Sequence, residues 1–222
     1  MKKRILSLAI SAALVLTMLP AGALAAGDKG TPPVYNKATG CYEISTPDQL
    51  LYLSGSWKDG APRDGHYVLT ADIDMSGVKG FKPIASKKDK GFIGTFDGQF
   101  HSIKGLRVEY EKKYAGLFGY VGNQDDQAYI KDVALLDCYV TGQQNVGALA
   151  GVNYGTITGC VVTGEVKCLD LSNSHTAGGI CGKLKEGEGP IVGHVEDCYV
   201  NDIVDAPYDA GGIAGIQDGG GY

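Results

Sequence analysis

The chain has 222 residues, with 20 Lys+Arg against 25 Asp+Glu and a formal net charge of −5. This acidic balance argues against nucleic acid and anionic membranes as partners, because both are held by basic patches. At 44% hydrophobic residues the length suffices for one domain with a sizeable core, and the 34 glycines recur with a period, which reads as architecture and not disorder.

Lys2, Lys3 and Arg4 precede an apolar run over residues 5–19, then Pro20 and an Ala23-Leu24-Ala25 cleavage site. That order is the order of a secretory signal peptide. The run of about 15 residues is short of the ~20 that a membrane span needs. Residues 1–25 are therefore expected to be removed near Ala25, leaving a more acidic mature chain, secreted or at the cell surface and without membrane insertion. An uncleaved anchor is the alternative. Residues 26–40, rich in Gly and Pro, read as a flexible leader, and residues 41–222 as one domain.

Cys41-Tyr42-Glu43-Ile44 reads as a short strand. Thr46-Pro47-Asp48-Gln49 is a helix start, with Thr46 as N-cap, Pro47 in the first helical position and Gln49 completing a capping box. Leu50, Leu51 and Leu53 follow, and Gly55 ends the helix. Two turns are marginal alone, so this helix is expected to cap an apolar end of the fold. Residues 67–75 alternate, with Leu69, Ala71, Ile73 and Met75 on one face and Val68, Thr70, Asp72 and Asp74 on the other, as in a half-buried strand. Short strands are also expected at 81–84, 92–96 and 103–108, with a turn at Asp97-Gly98.

Two motifs then recur. Ala115-Gly116-Leu117-Phe118-Gly119 returns at Gly147-Ala148-Leu149-Ala150-Gly151, Gly178-Gly179-Ile180-Cys181-Gly182 and Gly211-Gly212-Ile213-Ala214-Gly215, at spacings of 32, 31 and 33 residues. Between them, Ile103-Lys104-Gly105-Leu106 matches Ile130-Lys131-Asp132-Val133, Ile157-Thr158-Gly159-Cys160 and Val195-Glu196-Asp197-Cys198. A fixed period of this length marks a repeat architecture. No segment of helical period separates the copies, so the pattern predicts an all-β chain: a right-handed parallel β-helix, a solenoid, with the short N-terminal helix as its cap. The last motif, ending at Gly215, is followed only by residues 216–222. The expectation is a truncated or uncapped C-terminal end, open to end-to-end association or docking on a partner.

The stretch Gly147 to Ile157, running on to Cys160, resembles the GLUG-motif repeat family, as do residues 68–75, 94–98 and 101–103. The resemblance covers roughly residues 42–216. It departs at Ala148, where a second glycine is usual, and at Phe100, where a glycine is common. It implies an exported bacterial surface protein of adhesin-like type; similar repeats precede the catalytic part of some immunoglobulin-A-cleaving metallopeptidases.

Six cysteines (Cys41, Cys138, Cys160, Cys168, Cys181 and Cys198) suggest disulfides in an exported chain. Against that, Cys160 and Cys198 align with Leu106 and Val133, and Cys181 with Phe118, Ala150 and Ala214, as small buried hydrophobes would. Cys138 is ambiguous, since Asp137-Cys138-Tyr139-Val140 also matches Asp197-Cys198-Tyr199-Val200. Buried thiols are the preferred reading and disulfides the alternative. The short paired spacings of a zinc site are missing.

Asp72-Ile73-Asp74-Met75-Ser76-Gly77 imitates the start of a calcium loop, but Pro83 stands where its glutamate is required. Asp97 near His101, with Asp72 or Asp74, is the candidate carboxylate pair for glycan cleavage; Asp97-Gly98 is already accounted for as a turn. His66, His101, His175 and His194 form no H-E-x-x-H motif. Tyr114, Tyr139, Tyr154 and Tyr199 are candidate sugar-stacking positions, although strands favour tyrosine in any case. No catalytic, cofactor-binding or metal residues are assigned and no cofactor is expected. The function read from the sequence is a structural or adhesive stalk or binding module for host or matrix glycans or proteins. The alternative is a non-catalytic accessory module of a larger secreted peptidase or glycan-active enzyme.

Overall fold

The computed structural model describes residues 30–55, 61–171, 175–185 and 192–218. The signal peptide expected over residues 1–25 lies outside them. Strands β1 (Val34–Asn36) and β2 (Cys41–Ile44) pair antiparallel, so the expected leader already contains a strand. Helix α1 (Pro47–Leu53) follows. In chain order come β3 (His66–Leu69), β4 (Ile73–Asp74), β5 (Thr95–Asp97), β6 (Ser102–Lys104), β7 (Arg107–Ala115), β8 (Phe118–Val121) and β9 (Tyr129–Lys131). Then come β10 (Ala134–Gly147), β11 (Ala150–Asn153), β12 (Thr156–Thr158), β13 (Val161–Cys168), β14 (Thr176–Gly178) and β15 (Cys181–Lys185). The last are β16 (His194–Glu196), β17 (Tyr199–Asp205), β18 (Asp209–Gly211) and β19 (Ala214–Asp218).

Helix α1 begins where its capping residues put it. The Thr46 hydroxyl accepts from Gln49 N at 3.2 Å, Pro47 fills the first turn, and the Gln49 side chain reaches back to Ser45 N at 2.8 Å. Leu50, Leu51 and Leu53 are buried in the main core, which is what holds so short a helix in place.

The expected right-handed parallel β-helix is corrected by the arrangement of the sheets. The strands form three parallel or mixed sheets: a seven-stranded sheet in the order β1-β2-β3-β5-β9-β12-β16, an eight-stranded one along β17-β13-β10-β14-β18, and a four-stranded one in the order β19-β15-β11-β8. The first contains the antiparallel β1–β2 pair. The second branches, because β10 is long enough to pair with β6, β7, β13 and β14 at different points along its length. Parallel pairing of this extent is typical of α/β chains, yet α1 is the one α-helix among the described residues. Unequal strand lengths and shifts in register within β10 break the uniform winding that the period suggested.

The second recurring motif is a corner and not a continuous strand. Its small-or-acidic position takes a left-handed backbone: Gly105 (φ 67), Asp132 (φ 54), Gly159 (φ 63) and Asp197 (φ 51). Gly and, among other residues, Asp adopt that region at least cost, which explains the composition of the position. The corner also carries the chain between sheets, so β9 joins the first sheet and β10 the second. The same geometry corrects the alignment. Ile103 stands beside Leu135, and Arg107 beside Tyr139, so the corner at Gly105 matches Asp137, not Asp132. Leu106 therefore corresponds to Cys138, and Cys160 and Cys198 follow Val133. In the same way the strand expected over residues 67–75 divides into β3 and β4 in different sheets, while its in–out alternation survives the bend.

Inside, equivalent side chains lie in register. One column runs Tyr42, Tyr67, Phe96, Ile130, Ile157 and Val195 across the first sheet. Another runs Phe118, Ala150, Cys181 and Ala214 across the third. The N-terminal levels are filled by rings, with Tyr42–Tyr67 centroids 5.1 Å apart, Phe92–Phe118 at 5.1 Å and Phe96–Phe118 at 5.4 Å. Burying each large side chain contributes roughly 1.5–3 kcal/mol.

The glycine motif serves close backbone approach. A Cβ on Gly151 would sit 2.6 Å from Tyr114 Cα in the neighbouring strand, whereas one on Gly212 would meet nothing within 4 Å. Gly151→Ala is expected to lower unfolding stability by about 1–3 kcal/mol in a denaturant titration, and Gly212→Ala to change it by no more than about 0.5 kcal/mol. Phe100 is 84% exposed and held at φ 62. Phe100→Gly removes the Cβ strain and no packing, so the same titration should register a gain of about 1 kcal/mol.

Candidate functional site

The carboxylates singled out in the sequence are spoken for. Asp72 accepts from Ser102 N at 2.7 Å and lies 3.4 Å from His101 Nδ1, so the histidine pairs with Asp72 and not with Asp97. The Ser102 amide, with smaller help from its hydroxyl and from His101, holds Asp72 below the usual carboxylate range. The Ser102 hydroxyl faces the same carboxylate. Asp74 closes its own turn on Ser76 N at 2.9 Å. Burial pushes Asp97 up, but the Lys131 ammonium at 2.7 Å and the Gln99 amide at 2.9 Å outweigh it and leave the carboxyl low. Each acid is thus kept ionised by a structural partner, the opposite of what a general acid requires. His175 lies 3.7 Å from Asp170. The backbone carbonyl of His194 receives Asn153 Nδ2 at 3.0 Å, and His66 sits exposed on β3. Among the described residues no three His, Cys, Asp or Glu side chains gather as a metal site.

An open groove of about 900 Å³ runs from the loop after α1 to the outer face of the second sheet. Lys82 and Lys87 line one part of it; Glu111, Lys112, Tyr110 and Tyr139 line the other. Register sets the adjoining surface. Arg107, Tyr139, Glu165 and Ile203 form one row across β7, β10, β13 and β17; Glu109, Thr141, Lys167 and Asp205 form the next. The Arg107 guanidinium lies 4.2 Å from the Tyr139 ring centre and 2.8 Å from Glu109, and Lys167 meets Glu165 at 2.6 Å. These contacts hold the aromatic face in a fixed orientation. No linear signal announced the groove, because its lysines come from separate segments of an acidic chain.

Two of the candidate sugar-stacking tyrosines, Tyr114 and Tyr154, lie together. Tyr120, Val152 and Tyr154 pack with Tyr114 in a small cluster outside the main core, the Tyr114 and Tyr120 rings 4.7 Å apart. Tyr120 and Tyr154 are buried there, so they offer little ring face to a ligand. Desolvation and the Tyr114 hydroxyl raise the Tyr120 phenol well above its ordinary value.

At the last level a second recess of about 490 Å³ is lined by Val200, Asp202, Val204, Ala210 and Ile213. Asp202 Oδ2 is buried and has no hydrogen-bond partner among the described residues. Desolvation pushes its carboxyl up to about 6.

No family model matches the chain. It is 34% identical over 143 residues to halomucin of Haloquadratum walsbyi, a match covering 58% of this chain and 2% of halomucin. It is 32% identical over 101 residues to a "putative Gly-rich membrane protein" of Evansella cellulosilytica, covering 41% of this chain and 11% of that protein. A crystal structure of a "putative immunoglobulin A1 protease" from Bacteroides ovatus superposes with a TM-score of 0.66 at 25% identity, over 87% of this chain and 56% of that one. The chain thus spans a small fraction of its curated relatives, and its similarities are to proteins of surface or membrane type. Among the described residues no helix is long and apolar enough to cross a membrane.

Asp202 makes stability depend on pH. Its folded value lies above the ordinary carboxylate value near 3.9, so its ionisation opposes folding. The penalty is absent below about pH 4, grows through about pH 6 and is complete above it. Asp202→Asn is expected to raise the melting temperature at pH 7.5 and to reduce the fall in melting temperature between pH 4 and pH 7. A wild-type profile flat over that range would contradict the assignment.

Proposed function

We propose that the chain is a non-catalytic binding and spacer module of a larger surface protein, and that the groove beside Tyr110 and Tyr139 takes a carbohydrate chain carrying negative charge. The observation that carries the proposal is the groove. It gathers Lys82, Lys87 and Lys112, against Glu109 and Glu111, beside two tyrosines on a molecule of net negative charge. Aromatic faces stack on sugar rings, and lysines supply charge without fixing one geometry. Carboxylates locked by lysine or backbone amides favour binding over turnover. Similarity to short portions of halomucin and of the Evansella protein supports a place in a larger surface chain. The recurring residues at 116–119, 147–151, 178–182 and 211–215 support membership of the GLUG-motif repeat family as part of the same proposal.

A second reading, an accessory module of a secreted peptidase, is favoured by the likeness to the Bacteroides ovatus structure, whose description names an immunoglobulin A1 protease. In that reading the chemistry lies elsewhere in the protein.

A glycan array probed with the folded chain tests both. The expected result is retention of anionic glycans without cleavage, with affinity falling roughly tenfold, about 1.4 kcal/mol, in Tyr110→Ala, and with weaker binding at higher salt. Binding indifferent to Tyr110→Ala and to the Lys82→Ala, Lys112→Ala pair would remove the groove from the proposal. Capture of immunoglobulin A1 in place of any glycan would favour the second reading.

A further inference from the structure

We propose that Cys160 and Cys198 are a redox pair that closes to a disulfide between the starts of β13 and β17, with Cys198 as the sulfur at which an incoming disulfide oxidant enters. The two residues occupy the same place in successive corners, each directly after a left-handed residue, Gly159 (φ 63) and Asp197 (φ 51). The ladder puts Val161 beside Tyr199, and Tyr199 N donates to Cys160 O at 2.8 Å. Their Cα atoms are therefore about one strand spacing apart, near 4.8 Å, inside the 4.4–6.8 Å or so that a disulfide accepts. The equal corners direct both side chains the same way and bring the two thiols close enough to influence each other.

The pair is asymmetric. Cys160 is fully buried, whereas Cys198 is half-buried directly before β17, which ends the strand order of the second sheet. The neighbouring Cys160 thiol lowers the Cys198 thiol below its ordinary value, despite desolvation and the nearby carboxylates of Asp197 and Glu196. The same contact, together with burial, raises Cys160. The thiols also lie within reach of backbone carbonyls, Cys160 Sγ 3.3 Å from Thr158 O and Cys198 Sγ 3.1 Å from Glu196 O. Each sulfur has one proton, so these contacts compete with the contact between the thiols. The other cysteines are placed differently. Cys181 is enclosed in the core column, Cys138 sits beside Gly164, Cys168 lies against Gln143 O, and Cys41 lies against Thr39 O.

The step balances with a small organic disulfide as oxidant. The Cys198 thiolate attacks one sulfur of that disulfide, breaks its S–S bond and releases one thiolate, leaving a mixed disulfide on Cys198. Cys160 gives up its proton and attacks Cys198 Sγ, which expels the second thiolate. The two cysteines lose two electrons, the oxidant becomes two thiols, and the two cysteine protons end on them.

The whole chain, reduced and freed of reductant, is equilibrated with oxidised glutathione, alkylated and digested without reduction. The expected product is the peptide joining Cys160 to Cys198, a mass loss of two hydrogens, and slower amide exchange over Tyr199–Asp205. Brief alkylation of the reduced protein at pH 7.5 should label Cys198 first. Cys198→Ser is chosen because its site is half-exposed and tolerates a hydroxyl; it should abolish the linked peptide, and Cys41→Ser should leave it intact. Linkage of Cys198 mainly to Cys181 or Cys138, or both thiols still alkylatable after equilibration, would overturn the proposal.

Discussion

Backbone hydrogen bonding between neighbouring parallel strands constrains everything else in this molecule. An in-register parallel ladder places like positions beside like, so one side chain's size limits its neighbours across the whole sheet. Where one sheet's backbone closes on another's, as at Gly151 against Tyr114, no side chain fits. Where the chain must leave one sheet for another, the left-handed corners at Asp132, Gly159 and Asp197 do the turning. The period in the sequence is the trace of these two demands.

Much of this was legible. Helix α1 was announced by Thr46, Pro47 and Gln49 because capping is local chemistry, complete within a few residues. The in–out alternation of residues 69–75 was legible because an extended backbone keeps its two faces through a bend. The corners were seen only as composition: an apolar residue, a spacer, then Gly or Asp. A left-handed residue and a small strand residue look alike in sequence, and for that reason the copy at Ile103 was set one corner out of register. The uniform winding inferred from the period failed for a related cause. Spacing does not reveal how long a strand such as β10 runs before it bends, nor that β1 returns antiparallel.

The surface chemistry was less readable, because it is assembled across strands. Asp97 and His101 are close in sequence, yet Asp72, thirty residues away along the chain, holds the histidine's neighbour Ser102 and faces the ring. Lys82, Lys87 and Lys112 share a groove that no local basic cluster announces. The rows Arg107–Tyr139–Glu165 and Glu109–Thr141–Lys167 exist only because the ladder aligns them. In this architecture surface composition is written crosswise to the chain, one residue per strand.

The interior column from Phe118 through Ala150 and Cys181 to Ala214 also has a direction. Large rings and the leucines of α1 fill the N-terminal part of the core, while its later part is aliphatic, with Leu149, Ile157 and Ile180 fully buried. During synthesis the N-terminal levels leave the ribosome first. This gradient favours folding that starts from the ring-rich part of the core and adds the aliphatic part to it.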